Sequence, residues 1–170
     1  MTNPMREPQI DKTVLNIGTG QSGSPVMNAK KILRELTGKE PIETEAKGTN
    51  PEWGVREGLS IGAMITLRHE ESHEVLEKLF VAKNHKLDAQ SFDEEGNVSF
   101  GIGEHIEIPG MEYDPDIGIH GLDVTVSMER PGYRIKKRRV EEREIPKEHK
   151  LSKEESMEFF EREFNVEIVR

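Results

Sequence analysis

The chain has 170 residues, 33% of them hydrophobic and 34% charged, with a net charge of −9 and no cysteine. That length suits one domain, residues 1–170, built on a lean core. The absence of cysteine excludes disulfide frameworks, thiol nucleophiles and thiolate zinc sites. The longest apolar run, residues 61–67, is far short of a bilayer span, and the first residues carry no apolar stretch of the kind a secretory signal needs. A soluble, cytoplasmic protein without membrane contact is expected.

The elements follow in chain order. Residues 12–17 are rich in Val, Leu and Thr and end at Gly18, which reads as a strand. Ser24 and Pro25 then open a helix, with Ser24 as the expected N-cap. Ala29, Ile32, Leu33 and Leu36 form its buried stripe, and Gly38 stops it. Residues 41–46 form a short second strand, and the glycine-rich stretch 47–58 a loop. Residues 61–68 alternate, with Ile61, Ala63, Ile65 and Leu67 opposite Gly62, Met64, Thr66 and Arg68. A helix is expected over 70–82 and a glycine-broken strand or pair over 99–108. A second alternating strand occupies 121–129, with Asp123, Thr125 and Ser127 on its polar side. Ser152 and Glu155 form a capping box that opens a last helix over about 152–164.

Mixed helices and alternating strands predict an α+β fold, a mainly antiparallel sheet with helices on one face. The other face is then polar, and Asn16, Thr66, Arg68 and Asp123 fall on it. The commonest role of such a face is simply to be solvated. Its alternative role is a platform for a large polar ligand.

Charge is unevenly spread. Residues 1–68 sum to +1, residues 69–129 to −12 and residues 130–170 to +2. Within the last block RPGYRIKKRR holds six cations and no acid: Arg130, Arg134, Lys136, Lys137, Arg138 and Arg139. This basic arm, extending over 130–150, suits phosphates through counterion release, with Tyr133 as one stacking group. A solvated charge run is its alternative.

Two motifs mimic enzymes. Residues 18–23 read GTGQSG, a GxGxxG between a strand and a helix, with Glu43 where an acid could hold a ribose. A nucleotide-dependent enzyme is therefore the alternative function, although Pro25 withdraws an amide and the repeated strand–helix units of a doubly wound sheet are missing. His69-Glu70-Glu71-Ser72-His73 reads HExxH, a zinc hydrolase pattern, but no third ligand is picked out by spacing and acids also suit a helix start. His105 between Glu104 and Glu107 is a further candidate metal or acid–base cluster. No cofactor or metal is expected to follow from any of these.

Three blocks then point to one family. MREPQIDKTVLNIGTG, residues 36–68 and the stretch YDPDIGIHGLDVTVSMERPGYR resemble, in order, the archaeal form of the large-subunit ribosomal protein L5 family. The resemblance spans most of residues 5–150, and the RPGYR extension is of the archaeal–eukaryotic kind. It implies a structural constituent of the ribosome, not an enzyme. Such a protein binds 5S rRNA and seats it in the central protuberance, and it touches large-subunit rRNA, the P-site tRNA, a neighbouring 5S-associated protein and a small-subunit protein of the S13 family. Carried over by position, the residues expected on 5S rRNA are Asn16, Lys39, Thr66, Arg68 and Asp123. Asp123 would accept from a 2′-hydroxyl or base amine, or orient Arg68. The loop around Lys47, Trp53 and Arg56 would face tRNA, although Glu45 and Gly48 stand where relatives carry basic residues and Trp53 replaces a phenylalanine. With no aromatic platform on the sheet, recognition of RNA shape is expected.

Overall fold

A computed structural model describes residues 3–169. Five strands form an antiparallel sheet: β1 (Gln9–Gly18), β2 (Ile42–Glu45), β3 (Ser60–Leu67), β5 (Val98–Ile102) and β6 (Leu122–Glu129), in the order β2-β3-β1-β6-β5. Helices α1 (Ser24–Thr37), α2 (Glu70–Ala82) and α4 (Lys153–Phe164) bury their apolar stripes against one side of it. The α+β architecture is as expected. Its central strands alternate because only one face is covered: Leu15 and Ile17 in β1, Ile65 and Leu67 in β3, and Val124 and Val126 in β6 are almost fully buried.

Local signals explain most boundaries. Helix α1 ends at Gly38, whose left-handed φ of 69° suits a residue without Cβ and whose amide closes on the Arg34 carbonyl. Its N-cap is Gly23 rather than Ser24, so Ser24 and Pro25 occupy the first two helical positions. Helix α4 carries the expected capping box: Ser152 Oγ accepts from the Glu155 amide at 3.4 Å, and Glu155 Oε2 accepts from the Ser152 amide at 3.1 Å. Residues 99–108 hold one strand, β5, followed by a short 3₁₀ turn at His105–Glu107.

A second, two-stranded parallel sheet joins β4 (Lys86–Asp88) to β7 (Glu167–Val169). Three residues are too few to display an alternating pattern, and the pairing partners are far apart in sequence. Beneath both sheets Phe80, Phe92, Phe100, Phe159, Phe160 and Phe164 pack into one aromatic cluster, with Phe160 fully buried and 5.8 to 6.0 Å from the rings of Phe92 and Phe80.

One glycine of β3 is required by close packing between strands. A Cβ on Gly62 would lie 2.7 Å from Thr44 Oγ1 and 2.8 Å from the Ile17 carbonyl oxygen. Glycine is what allows β2, β3 and β1 to meet at that point.

Candidate nucleic-acid interface

The sheet face turned away from the helices carries Asn16, Thr66 and Asp123, in agreement with the alternation. Register places Ile42, Met64, Asn16, Asp123 and Gly101 in one row across all five strands, and Thr66, Val14, Thr125 and Ser99 in the next. Asn16 and Asp123 are thus direct cross-strand neighbours. The face is less polar than its sequence suggested, since exposed Ile42 and half-buried Met64 and Val14 lie among the hydroxyls and amide. Ser99 Oγ bonds Thr125 Oγ1 at 3.2 Å, so two of its hydroxyls already engage each other. No aromatic residue stands in either row.

Arg68 emerges at the end of β3, half exposed. Its partner is Asp11 and not Asp123: Arg68 Nη1 donates to Asp11 Oδ1 at 3.0 Å. The same carboxylate accepts from Lys137 Nζ at 2.8 Å on its other oxygen, and Lys137 also donates to Glu129 at 3.0 Å. Lys137 belongs to the basic arm, where Arg134–Lys137 forms the short helix α3. The arm and the Arg68 end of the sheet therefore meet at Asp11, a residue that the sequence did not single out. Asp11 sits where the register of β1 against β6 shifts between Ile10 and Lys12, a bulge that composition does not reveal, and a lone acid beside a lysine looks like any exposed pair.

Protonation follows from this geometry. Burial opposes ionisation of Asp11, but the Lys137 hydrogen bond and the charges of Lys137, Arg68 and Lys12 outweigh it and hold the carboxyl below its ordinary value. The Asp11 bond raises Lys137 above the ordinary lysine value, against partial burial and with help from Glu129. The two contributions fade in opposite directions. That of Asp11 is present above the unfolded-state aspartate pKa and lost as pH falls through the lowered folded one; that of Lys137 is lost only as pH rises through its raised value. At neutral pH both persist. A carboxyl ¹³C titration is expected to give Asp11 a midpoint below that of a free aspartate, and an ordinary or higher midpoint would reject the clamp.

The remaining arm cations divide. Arg134, Lys136 and Arg139 are exposed and, among the described residues, in no ion pair. Arg138 Nε donates to the Glu141 carbonyl at 2.8 Å. Arg130 is not a surface cation. It is 4% exposed, with Nη2 2.5 Å from Glu155 Oε1 and Nη1 donating to the Lys150 carbonyl at 3.2 Å, so it anchors the base of the arm. Tyr133 is fixed at its tip: its hydroxyl accepts from the Leu151 amide at 2.9 Å and donates to the His149 carbonyl at 3.3 Å, which ties the start of the arm to its return segment.

Lys39 lies apart from the open face, in the helical layer, where its ammonium meets Glu71 at 2.6 Å. Lys47, Trp53 and Arg56 occupy the β2–β3 connection at the opposite end of the sheet from Arg68. That connection is an ordered hairpin extension: Asn50 and Val55 pair, Gly54 turns at φ 64°, and Trp53 stands 76% exposed at its tip.

The enzyme-like motifs resolve into structure. The amides of Thr19 and Gly20 both donate to the Ile61 carbonyl, at 2.9 and 3.1 Å, so the glycine turn is tied to β3 rather than open to a pyrophosphate. Glu43 bonds Lys30 at 3.2 Å. His69 caps α2, and the His73 ring stacks on Phe164 at 5.3 Å. His105 is buried and its Nδ1 accepts from the His120 amide at 3.3 Å, closing the 103–121 loop. Among the described residues no group of three or more His, Asp or Glu side chains is arranged to hold a metal, and no helix is long and apolar enough to cross a membrane.

Comparison with known proteins identifies the family. The family described as ribosomal protein L5 matches residues 3–56, and the model of the C-terminus of that ribosomal family matches residues 60–159. A large ribosomal subunit protein uL5 from Sulfurisphaera tokodaii is 50% identical over 98% of this chain and 95% of its own length. Those from Methanosphaera stadtmanae and Methanobrevibacter smithii are each 44% identical over 98% of this chain, and over 99% and 98% of their own lengths. Fold and relatives together define a non-catalytic, cytoplasmic constituent of the large ribosomal subunit. The chain belongs to the ribosomal protein L5 family, in its archaeal form.

Proposed function

We propose that the chain binds 5S rRNA through the open sheet face and attaches it to the central protuberance of the large subunit. The observation that carries this reading is the uncovered face itself. A five-stranded sheet leaves hydroxyls, an amide and a carboxylate facing outward, with the Arg68 guanidinium and the cations of the arm at one margin. Asn16 and Thr66 bond ribose 2′-hydroxyls and phosphate oxygens, Asp123 accepts from a 2′-hydroxyl or base amine, and Arg68 forks onto a phosphate. Lys39, still paired with Glu71 here, joins the contact set from the helical layer. Arg134, Lys136, Lys137, Arg138 and Arg139 extend the contact to rRNA. The hairpin with Lys47, Trp53 and Arg56 faces P-site tRNA, its contact weakened by Glu45. The neighbouring 5S-associated protein and the S13-family protein across the subunit boundary complete the partners. Residues from β1 through β7 share one buried cluster, which supports a single working unit.

Titration with archaeal 5S rRNA across a salt series, with tRNA as competitor, tests the reading. Saturable binding that prefers 5S rRNA, with log affinity falling linearly in log salt, is the expected result. Arg68→Ala is expected to weaken binding by about 1.5–3 kcal/mol, the magnitude of a charge-assisted hydrogen bond. The control is Lys86→Ala, an exposed cation in the small parallel sheet. Thr125 cannot serve as one because it shares the open face. Equal losses at Arg68 and Lys86 would remove Arg68 from the contact set.

A further inference from the structure

Asp11 occupies an irregularity in β1. Ile10 pairs with Met128 and Lys12 with Ser127, so the strand carries one residue more than β6 across this step, and Asp11 is that residue. Such bulges break the two-residue period and re-aim a side chain. The Asp11 side chain is only 13% exposed, yet each of its oxygens takes a different cation, Arg68 from the end of β3 and Lys137 from α3. The two cations, by contrast, are 52% and 54% exposed. Arg68 spends a single nitrogen on the carboxylate, leaving the rest of its guanidinium for a ligand. Beside the clamp lies a concavity of about 300 Å³, bordered by Lys12, Lys136, Lys137 and Glu129.

We propose that Asp11 is a positioning residue for RNA phosphate, joining Arg68 on the sheet and Lys137 on the arm into one pre-ordered binding edge. The ligand class is a phosphodiester backbone that runs from the open face onto the arm. Asp11 does not touch the RNA. It holds the guanidinium in place before binding, which reduces the side-chain ordering lost on association, and it docks α3 so that Arg134 and Lys136 continue the same edge. This rests on the reading of Arg68 as an RNA contact.

The test is 5S rRNA binding by wild type, Asp11→Asn, Arg68→Ala and the double variant. Asp11→Asn is expected to weaken binding about tenfold, and Arg68→Ala to cost several-fold less in the Asp11→Asn background than in wild type. A merely structural aspartate would leave the Arg68 cost the same in both backgrounds, and that result overturns the proposal. So does an affinity that is unchanged or raised in Asp11→Asn while Arg68→Ala weakens binding. If Arg68→Ala has no effect in wild type, the Arg68 contact itself is wrong and the positioning role falls with it. Should Asp11→Asn fail to fold, Lys137→Gln takes its place. Its cost and that of Arg68→Ala are expected to be non-additive, and additive costs would overturn the coupling.

Discussion

Phe160→Ala is expected to lower the free energy of unfolding by about 3–5 kcal/mol, the usual cost of emptying a fully buried aromatic site. Phe160 has no exposed surface and packs edge-on against Phe80, Phe92 and Phe159 and face-on against Phe164. It is where α4 joins α2 and the turn around Phe92 that leads toward β5. Against a typical net stability of about 5–15 kcal/mol, its loss removes a large share. Urea unfolding reads the effect as a lower midpoint at unchanged slope. A cost below about 1 kcal/mol would mean that the cluster repacks around the cavity and that Phe160 is not its centre.

Glu155→Ala is expected to cost about 2–4 kcal/mol, because it strips a buried cation of its counter-charge and removes half of a capping box. Arg130 would keep only the Lys150 carbonyl as partner, with Nε already lacking one. The base of the basic arm, which begins at Arg130, would lose its anchor. Combining Glu155→Ala with Arg130→Met should recover much of the loss, since an apolar side chain has no charge to strand. A double variant as unstable as Glu155→Ala alone would place the cost in the cap rather than in the ion pair. Thermal melts of the three variants separate the two.

Arg130 shows why a run of cations cannot be read as a surface from sequence. RPGYRIKKRR carries six positive charges, but burial is set by where β6 ends, and the first of the six falls beneath the arm. Nor could the run show that the Tyr133 hydroxyl is engaged by backbone groups from residues 149 and 151. The GxGxxG and HExxH patterns match in letters only. Which amides are free depends on what the turn packs against, and Ile61 is far away in sequence from Thr19 and Gly20.

Strands β1, β3 and β6, helices α1, α2 and α4, and the outward-facing residues of the sheet are all legible in the amino-acid order. These rest on local periodicity and capping, as in Ile61–Leu67 and in Ser152 with Glu155, and they need no partner to be visible. The long family-specific stretches also carried membership of the L5 family. It takes the folded chain to show that Arg68 is held by Asp11, that Lys137 brings the arm to the sheet, that Lys39 lies in the helical layer and that Lys86–Asp88 pairs with Glu167–Val169. Each of these joins segments widely separated along the chain, and three depend on short irregularities: two on the one-residue bulge at Asp11 and one on a three-residue strand. Such contacts arise from packing and register, which no local pattern encodes.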